Sequence, residues 1–352
     1  EEDRTEMHRA AATWLESKGD ADVGLIAKHA DAGEDFERAA RLYAKATRQA
    51  LTSGAHLETA LDLAQRGLGC GPQDDLRAEL LLAVAKARIP LGRLEDGVRA
   101  ATEAGELADA ASDMWAEAQC LAATALIESG RSAEGDERVT LALSPTATHS
   151  VSPVTRVKLM AARVRGWVDL GRPKEALKLA DEALLLARES GSTEALVRVL
   201  DARLFALMKL ADPSEVVANG PSVIDIAETA GEVVLATRAR LNTASSMNLL
   251  GLFEEARWLL DRALGDSRDR RMRILEGFAL NNLGLTEARL GLVDRGIEMQ
   301  REAGRAADDT GAARLRIHAR VYEALLLLWR IAQARADGHD THDASDLAAA
   351  EG

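Results

Sequence analysis

Apolar residues recur along this chain at intervals of three and four, in stretches of roughly 20 residues or slightly less, each closed by a turn signal. From Pro173 to Glu189, the positions Ala176, Leu177, Leu179, Ala180, Ala183, Leu184 and Ala187 form one stripe, while Lys174, Glu175, Lys178, Asp181, Glu182 and Arg188 lie mostly off it. This is the pattern of a helix with one buried face. Turn glycines set the spacing. Gly130, Gly171, Gly251 and Gly291 each end such a stretch, and Ala211 beside Asp212-Pro213 stands where the missing member belongs, which makes the step between turns almost constant. Gly191, Gly231 and Gly311 fall midway, with Arg271 the plain exception, and Gly92 extends the series toward the N-terminus. Glycine suits these places because the residue after a helix commonly turns left-handed, which side chains resist. The period is therefore two helices. Start signals agree: Ser152-Pro153 places a cap before a first-turn proline, and Asp212-Pro213-Ser214-Glu215 has capping-box spacing. A lone hairpin of this size cannot bury its apolar face, so hairpins must stack. The expected fold is all-α, without a sheet, with hairpin turns near Gly92, Gly130, Gly171, Ala211, Gly251 and Gly291.

Some segments depart from the pattern. Asn219-Gly220-Pro221 is expected to kink or break the helix it falls in. A helix over His56 to Leu68 disturbs the alternation between Tyr43 and Gly92, and Gly67-Leu68-Gly69-Cys70-Gly71-Pro72 reads as a plain connector. Ser144 to Val151 reads as a longer interhelical loop. One continuous array is expected over 1–336, less regular at 1–75, followed by a flexible tail at 337–352. The opening Glu1-Glu2-Asp3, without an initiator Met, reads as a cut from something larger.

Asn282-Leu283-Gly284 before Gly291 resembles the first-helix signature of the tetratricopeptide repeat, and Phe36, Ala39, Tyr43 and Ala46 resemble its second-helix part. Glu255-Ala256 with Leu260 and Ala263, and Glu175-Ala176 with Ala183, repeat the latter; Gly97, Gly135 and Gly296 stand where its alanine is expected. The period, about 40, exceeds the standard 34. Lengthened repeats of this kind resemble the superhelical arms of signal-transduction ATPases, including maltose-activator-type regulators and bacterial proteins that join a kinase, an ATPase module and a helical arm. The run from His8 to Tyr43 is similar to the segment that follows the ATPase part. The resemblance implies a right-handed α-α solenoid, attached ATPase or kinase domains in the full-length parent, and an arm that binds a partner protein or peptide on its concave face. In the maltose-activator type the arm instead holds a small molecule that controls ATPase assembly.

Composition sharpens this picture. A net charge of −13 excludes a general affinity for nucleic acid or anionic lipid, so any basic site must be local. Two cysteines make no disulfide framework, and no stretch of roughly 18 apolar residues occurs, which points to a cytoplasmic protein. Five Trp, two Tyr and four Phe are too few for a sugar-binding toroid; Trp14, Trp115, Trp167, Trp258 and Trp329 read as packing between helices.

Few residues are spaced for catalysis or metal binding. The glycine cluster at 67–71 lacks the Gly-Lys-Ser/Thr ending of a phosphate loop. His29, His56, His149 and His318 have no metal spacing, His339 and His342 lie in the tail, and neither Cys70 nor Cys120 has a histidine partner in sequence. No catalytic residue, cofactor or metal is expected. Two basic features remain. Arg268, Arg270, Arg271 and Arg273 are expected at a loop and helix start, where cations oppose the macrodipole, hinting at an anionic partner if they are not simply solvated. Lys158, Arg198 and Arg238 stand at one and the same register before the turns at Gly171, Ala211 and Gly251, and Asn242 and Asn282 share a second register before theirs. On a groove-lining first helix these would hold an extended acidic peptide, its charges on the cations and its main chain on the amides. The bland alternative is ion pairing on a solvated face. An enclosed cavity of some 300 to 1,000 Å³ would favour a small ligand, and an open groove a peptide.

Overall fold

A computed structural model describes residues 2–19, 22–52, 57–110, 112–144, 151–210 and 212–336. The turn residue Ala211, the middle of the 144–151 loop, His56, His149 and the tail from 337 lie outside them. The described residues form 17 α-helices and no strand. They fall into two compact units: one of Glu1–Ile89, Arg93–Leu126 and Glu134–Leu159, the other of Pro90–Gly92, Ile127–Ala133 and Met160–Gly352.

The first unit holds α1 (Glu2–Ser17), α2 (Val23–Ala32), α3 (Phe36–Thr52), α4 (Leu57–Gly69), α5 (Asp74–Arg88), α6 (Leu94–Leu107), most of α7 (Asp113–Glu128), most of α8 (Ser132–Ala142) and the start of α9 (Pro153–Asp169). Its core gathers Ala12, Ile26, Ala30, Ala39, Tyr43 and Ala46. The second-helix positions of α3 are thus filled as the repeat demands, apart from the exposed Phe36. The 67–71 glycine cluster is only partly a connector, because α4 runs through Gly67 and ends at Gly69.

The second unit is the regular one. Its first helices, α11 (Thr193–Lys209), α13 (Val233–Leu249), α15 (Arg273–Arg289) and α17 (Ala313–Ala336), start at a constant step along the chain. Its second helices, α10 (Pro173–Ser190), α12 (Pro213–Thr229), α14 (Phe253–Asp269) and α16 (Val293–Thr310), keep the same step midway between them, so the period holds without slippage. Successive first helices lie side by side, each pair joined through a second helix. The alanine stripe of α10 is fully covered at Ala176, Ala180, Ala183 and Ala187, allowing close approach of its neighbours. The turn residues 171, 191, 231, 251, 291 and 311 are glycines with φ between 65° and 94°. Arg271 adopts the same left-handed turn at φ 56°, so repeat geometry overrides residue preference there.

Both start signals act as caps. Asp212 accepts from the Glu215 amide at 3.1 Å, and Ser152 from that of Thr155 at 3.1 Å. The break expected at Pro221 does not occur, since α12 is continuous across it. The preceding Gly220 has no Cβ to meet the proline ring, and a Cβ there would also strike Thr243 of α13. Packing thus favours the uninterrupted helix. Two tryptophans correct the packing reading: Trp14 and Trp258 are exposed, with Lys18 and Arg262 lying over their rings at 5.1 and 5.0 Å.

Candidate functional site

In the second unit the first helices line a cavity of about 230 Å³. The last residue of α7, Glu128, forms part of its wall. Arg165 comes from α9, Phe205, Met208 and Lys209 from α11, Arg238, Asn242 and Ser245 from α13, Phe278 and Asn282 from α15, and Arg314, His318 and Tyr322 from α17. Leu241, Leu249 and Leu275 complete it. The repeat period explains this convergence, because equivalent positions of successive first helices face the same way. Arg238, Phe278 and His318 form one such column, Asn242, Asn282 and Tyr322 a second, and Arg165, Phe205 and Ser245 a third.

Its electrostatics centre on Glu128. Arg238 donates to the Glu128 carboxylate in a short ion pair, Arg165 reaches the same oxygen at 3.4 Å, and Arg314 approaches the other at 3.7 Å. Asp201, 1% exposed, accepts from Arg165 at 3.4 Å and from the Asn242 amide at 3.4 Å, while Asp169 accepts from Arg314 at 3.0 Å. Burial by itself would raise the Glu128 carboxyl, but the charges of Arg238, Arg165 and Arg314 outweigh it and bring the group down to about 2. Burial likewise disfavours both buried guanidiniums. In Arg165 the charges of Glu128, Asp201 and Asp169 prevail and raise it; in Arg238 burial and the neighbouring Arg165 prevail and lower it. Both remain cations, as arginine does in proteins. Burial and Arg314 lower the Lys209 ammonium. Burial, then Lys209 and Arg314, push the His318 imidazole down to about 4, so it is neutral near pH 7.

The cavity wall therefore carries four cations against one carboxylate, in a chain whose net charge is −13. Phe205 receives Arg165 at 4.7 Å, Arg314 at 5.0 Å and Lys209 at 5.9 Å from its ring centre, and Arg314 also lies 5.2 Å from Phe278. Two of the chain's four phenylalanines thus support its cations. Guanidiniums held on aromatic faces turn their N–H edges to oxyanions, as Arg165 and Arg314 do toward Glu128, Asp201 and Asp169, and asparagine amides suit main-chain groups.

Of the residues expected from sequence, Arg238, Asn242 and Asn282 line this cavity. Arg198 does not, and pairs along its own helix with Glu194 at 3.4 Å. Lys158 belongs to the first unit, where it meets Glu117 at 3.7 Å. The second basic cluster is corrected in position. Arg268 sits in the last turn of α14 and Arg270 caps it, where cations favour the macrodipole, so only Arg273 opens a helix. Arg268 pairs with Glu276 and Glu302, Arg270 with Asp266, and Arg273 with Glu276 and Asp309. Sequence reasoning missed Glu128, Arg165, Phe205, Lys209, Phe278, Arg314 and Tyr322, and read His318 as an ordinary histidine. Following the register forward from Arg238 and Asn282, instead of backward through residues of like charge, would have reached Phe278, His318 and Tyr322.

Among the described residues no three His, Cys, Asp or Glu side chains could hold a metal together, and no helix is long and apolar enough to cross a membrane.

No family model and no curated protein matches this sequence. Solved structures do resemble its fold. A signal-transduction ATPase with numerous domains and a tetratricopeptide repeat sensor, from Pyrococcus horikoshii, is 16% identical with a TM-score of 0.56, over 99% of this chain and 52% of that one. A Rap protein complexed with competence and sporulation factor is 12% identical, TM-score 0.55, over 85% and 86% of the two chains. The apo form of RapI is 14% identical, TM-score 0.53, over 76% and 97%. This chain spans about half the length of the Pyrococcus ATPase chain. At such identities the likeness is one of fold: the chain is an all-α array of tetratricopeptide-like helical hairpins.

Proposed function

We propose that this chain is the non-catalytic interaction arm of a larger signalling protein, and that the cavity of its second unit receives an acidic group of a partner peptide or protein. The observation that carries this reading is the convergence of Arg165, Lys209, Arg238 and Arg314 with Asn242 and Asn282 on one concavity of an acidic chain. Cations on low-dielectric walls focus a field that a net negative surface otherwise opposes, so binding is expected to be selective for a localised acidic group. The two asparagines would hold main-chain amides beside it. The volume of about 230 Å³ lies below the several hundred typical of a drug-sized ligand, and suits a side chain or chain end better than a whole small molecule. This weighs against the small-molecule sensor reading. The fold likeness to the repeat sensor of a signal-transduction ATPase supports a signalling context with an ATPase domain attached, and the likeness to a Rap protein solved with competence and sporulation factor supports a ligand-binding role.

Calorimetric titration of the whole chain with Asp/Glu-rich pentapeptides, against Lys-rich controls, tests the proposal. Acidic peptides should bind with an affinity that falls as salt rises. Asn282→Ala should weaken binding about tenfold, roughly 1.4 kcal/mol, and Arg198→Gln should leave it unchanged. Equal binding of the Lys-rich control, or equal losses in both variants, would remove the cavity from the account.

A further inference from the structure

Glu128 is an odd residue to find where it is. It ends α7, where unsatisfied helix carbonyls disfavour an anion. Its side chain is only 5% exposed. Yet it touches guanidiniums from three other helices, Arg165 of α9, Arg238 of α13 and Arg314 of α17, with Oε1 shared by two of them and Oε2 facing the third. Arg165 and Arg314 have second carboxylates in Asp201 and Asp169; among the described residues Arg238 pairs with Glu128 alone. The arrangement is that of a bound carboxylate ligand, supplied by the chain itself, beside a cavity with room for another.

We infer that Glu128 occupies in cis the carboxylate subsite of the cavity, and that a ligand carboxylate takes its place on Arg238 and Arg314, releasing the turn between α7 and α8. This rests on the reading of the cavity as an anion-receiving site. A carboxylate is the fitting chemistry because the guanidiniums already converge on the two oxygens of one planar group. The exchange joins ligand entry to a structural event, since the 127–133 segment, which spans the end of α7 and the start of α8, is held to α13 and α17 through this side chain.

Succinate tests the exchange without any peptide. Glu128→Gln removes the competing charge, and should bind succinate at least tenfold more tightly than the wild-type chain in calorimetry. Equal or weaker binding overturns the inference, and tighter binding of inorganic phosphate than of succinate overturns the choice of a carboxylate. If the variant does not fold alone, succinate-dependent refolding supports the exchange; if succinate fails to refold it, the wild-type chain decides. There, saturating succinate should speed amide hydrogen exchange at 127–133, and unchanged exchange refutes the release. Peptide binding without these succinate effects leaves the proposed function standing and removes only the exchange; succinate effects without peptide binding do the reverse.

Discussion

At the scale of single residues, Glu128 and His318 make the stability of the second unit pH-dependent in one direction. The His318 imidazole is held near 4, against its usual 6.5, so the unfolded chain takes up that proton first and stability falls as pH drops from about 6.5 toward 4. The Glu128 carboxyl is held near 2, against its usual 4.5, so its contribution is complete above 4.5 and is lost as pH falls toward 2. The second step corresponds to about 3 kcal/mol. Urea unfolding across pH 2 to 8 should show both declines. His318→Asn should flatten the first and Glu128→Gln the second; a decline between 6.5 and 4 that persists in His318→Asn assigns it elsewhere. Arg238, Asn242 and Asn282 were legible in the sequence because the repeat fixes their position along a helix and their polarity is unusual on an inner face. Arg165 and Arg314 were not, since a lone arginine in a chain with many ion pairs carries no local sign of which carboxylates it will meet.

Among the elements, the period determines nearly everything, and the departures show where packing overrides it. Gly296 stands where the tetratricopeptide pattern has alanine. In α16 it crosses Gly284 of α15 so closely that a Cβ at 296 would lie 2.6 Å from the Gly284 carbonyl oxygen. Placing the pattern's alanine there should therefore harm this protein. Gly296→Ala is expected to destabilise by about 1–3 kcal/mol despite alanine's better helix propensity, as read by thermal or urea unfolding. A stabilised variant would mean that the two helices can move apart freely. Pro221 makes the converse point, for a residue that ordinarily ends a helix is carried inside α12, next to a glycine seated on Thr243. Local rules predicted the helices correctly and failed where a neighbouring helix supplied the deciding contact.

On the scale of the whole molecule, a repeat array whose parts touch only their sequence neighbours would respond locally to local change. The second unit is not of that kind. Arg238 meets Glu128 across 110 residues of sequence and Arg314 meets Asp169 across 145. A side chain on Gly92 would run into Thr310, and one on Gly130 would meet Ala313. Arg314→Met should accordingly speed hydrogen exchange at 127–133 at least tenfold, although that turn is far away along the chain. Changes confined to α15, α16 and α17 would show that these contacts contribute nothing. What the sequence alone determined was the repeat: the apolar stripe of each helix and the glycine that closes it are local consequences of helix geometry, and they specify the hairpins, their turns and the columns of equivalent positions. Only the tertiary structure decided which columns meet and what charge they enclose. The contacts of Glu128 with Arg238 and Arg314 join residues more than a hundred positions apart, and no single hairpin's residues encode such a pairing.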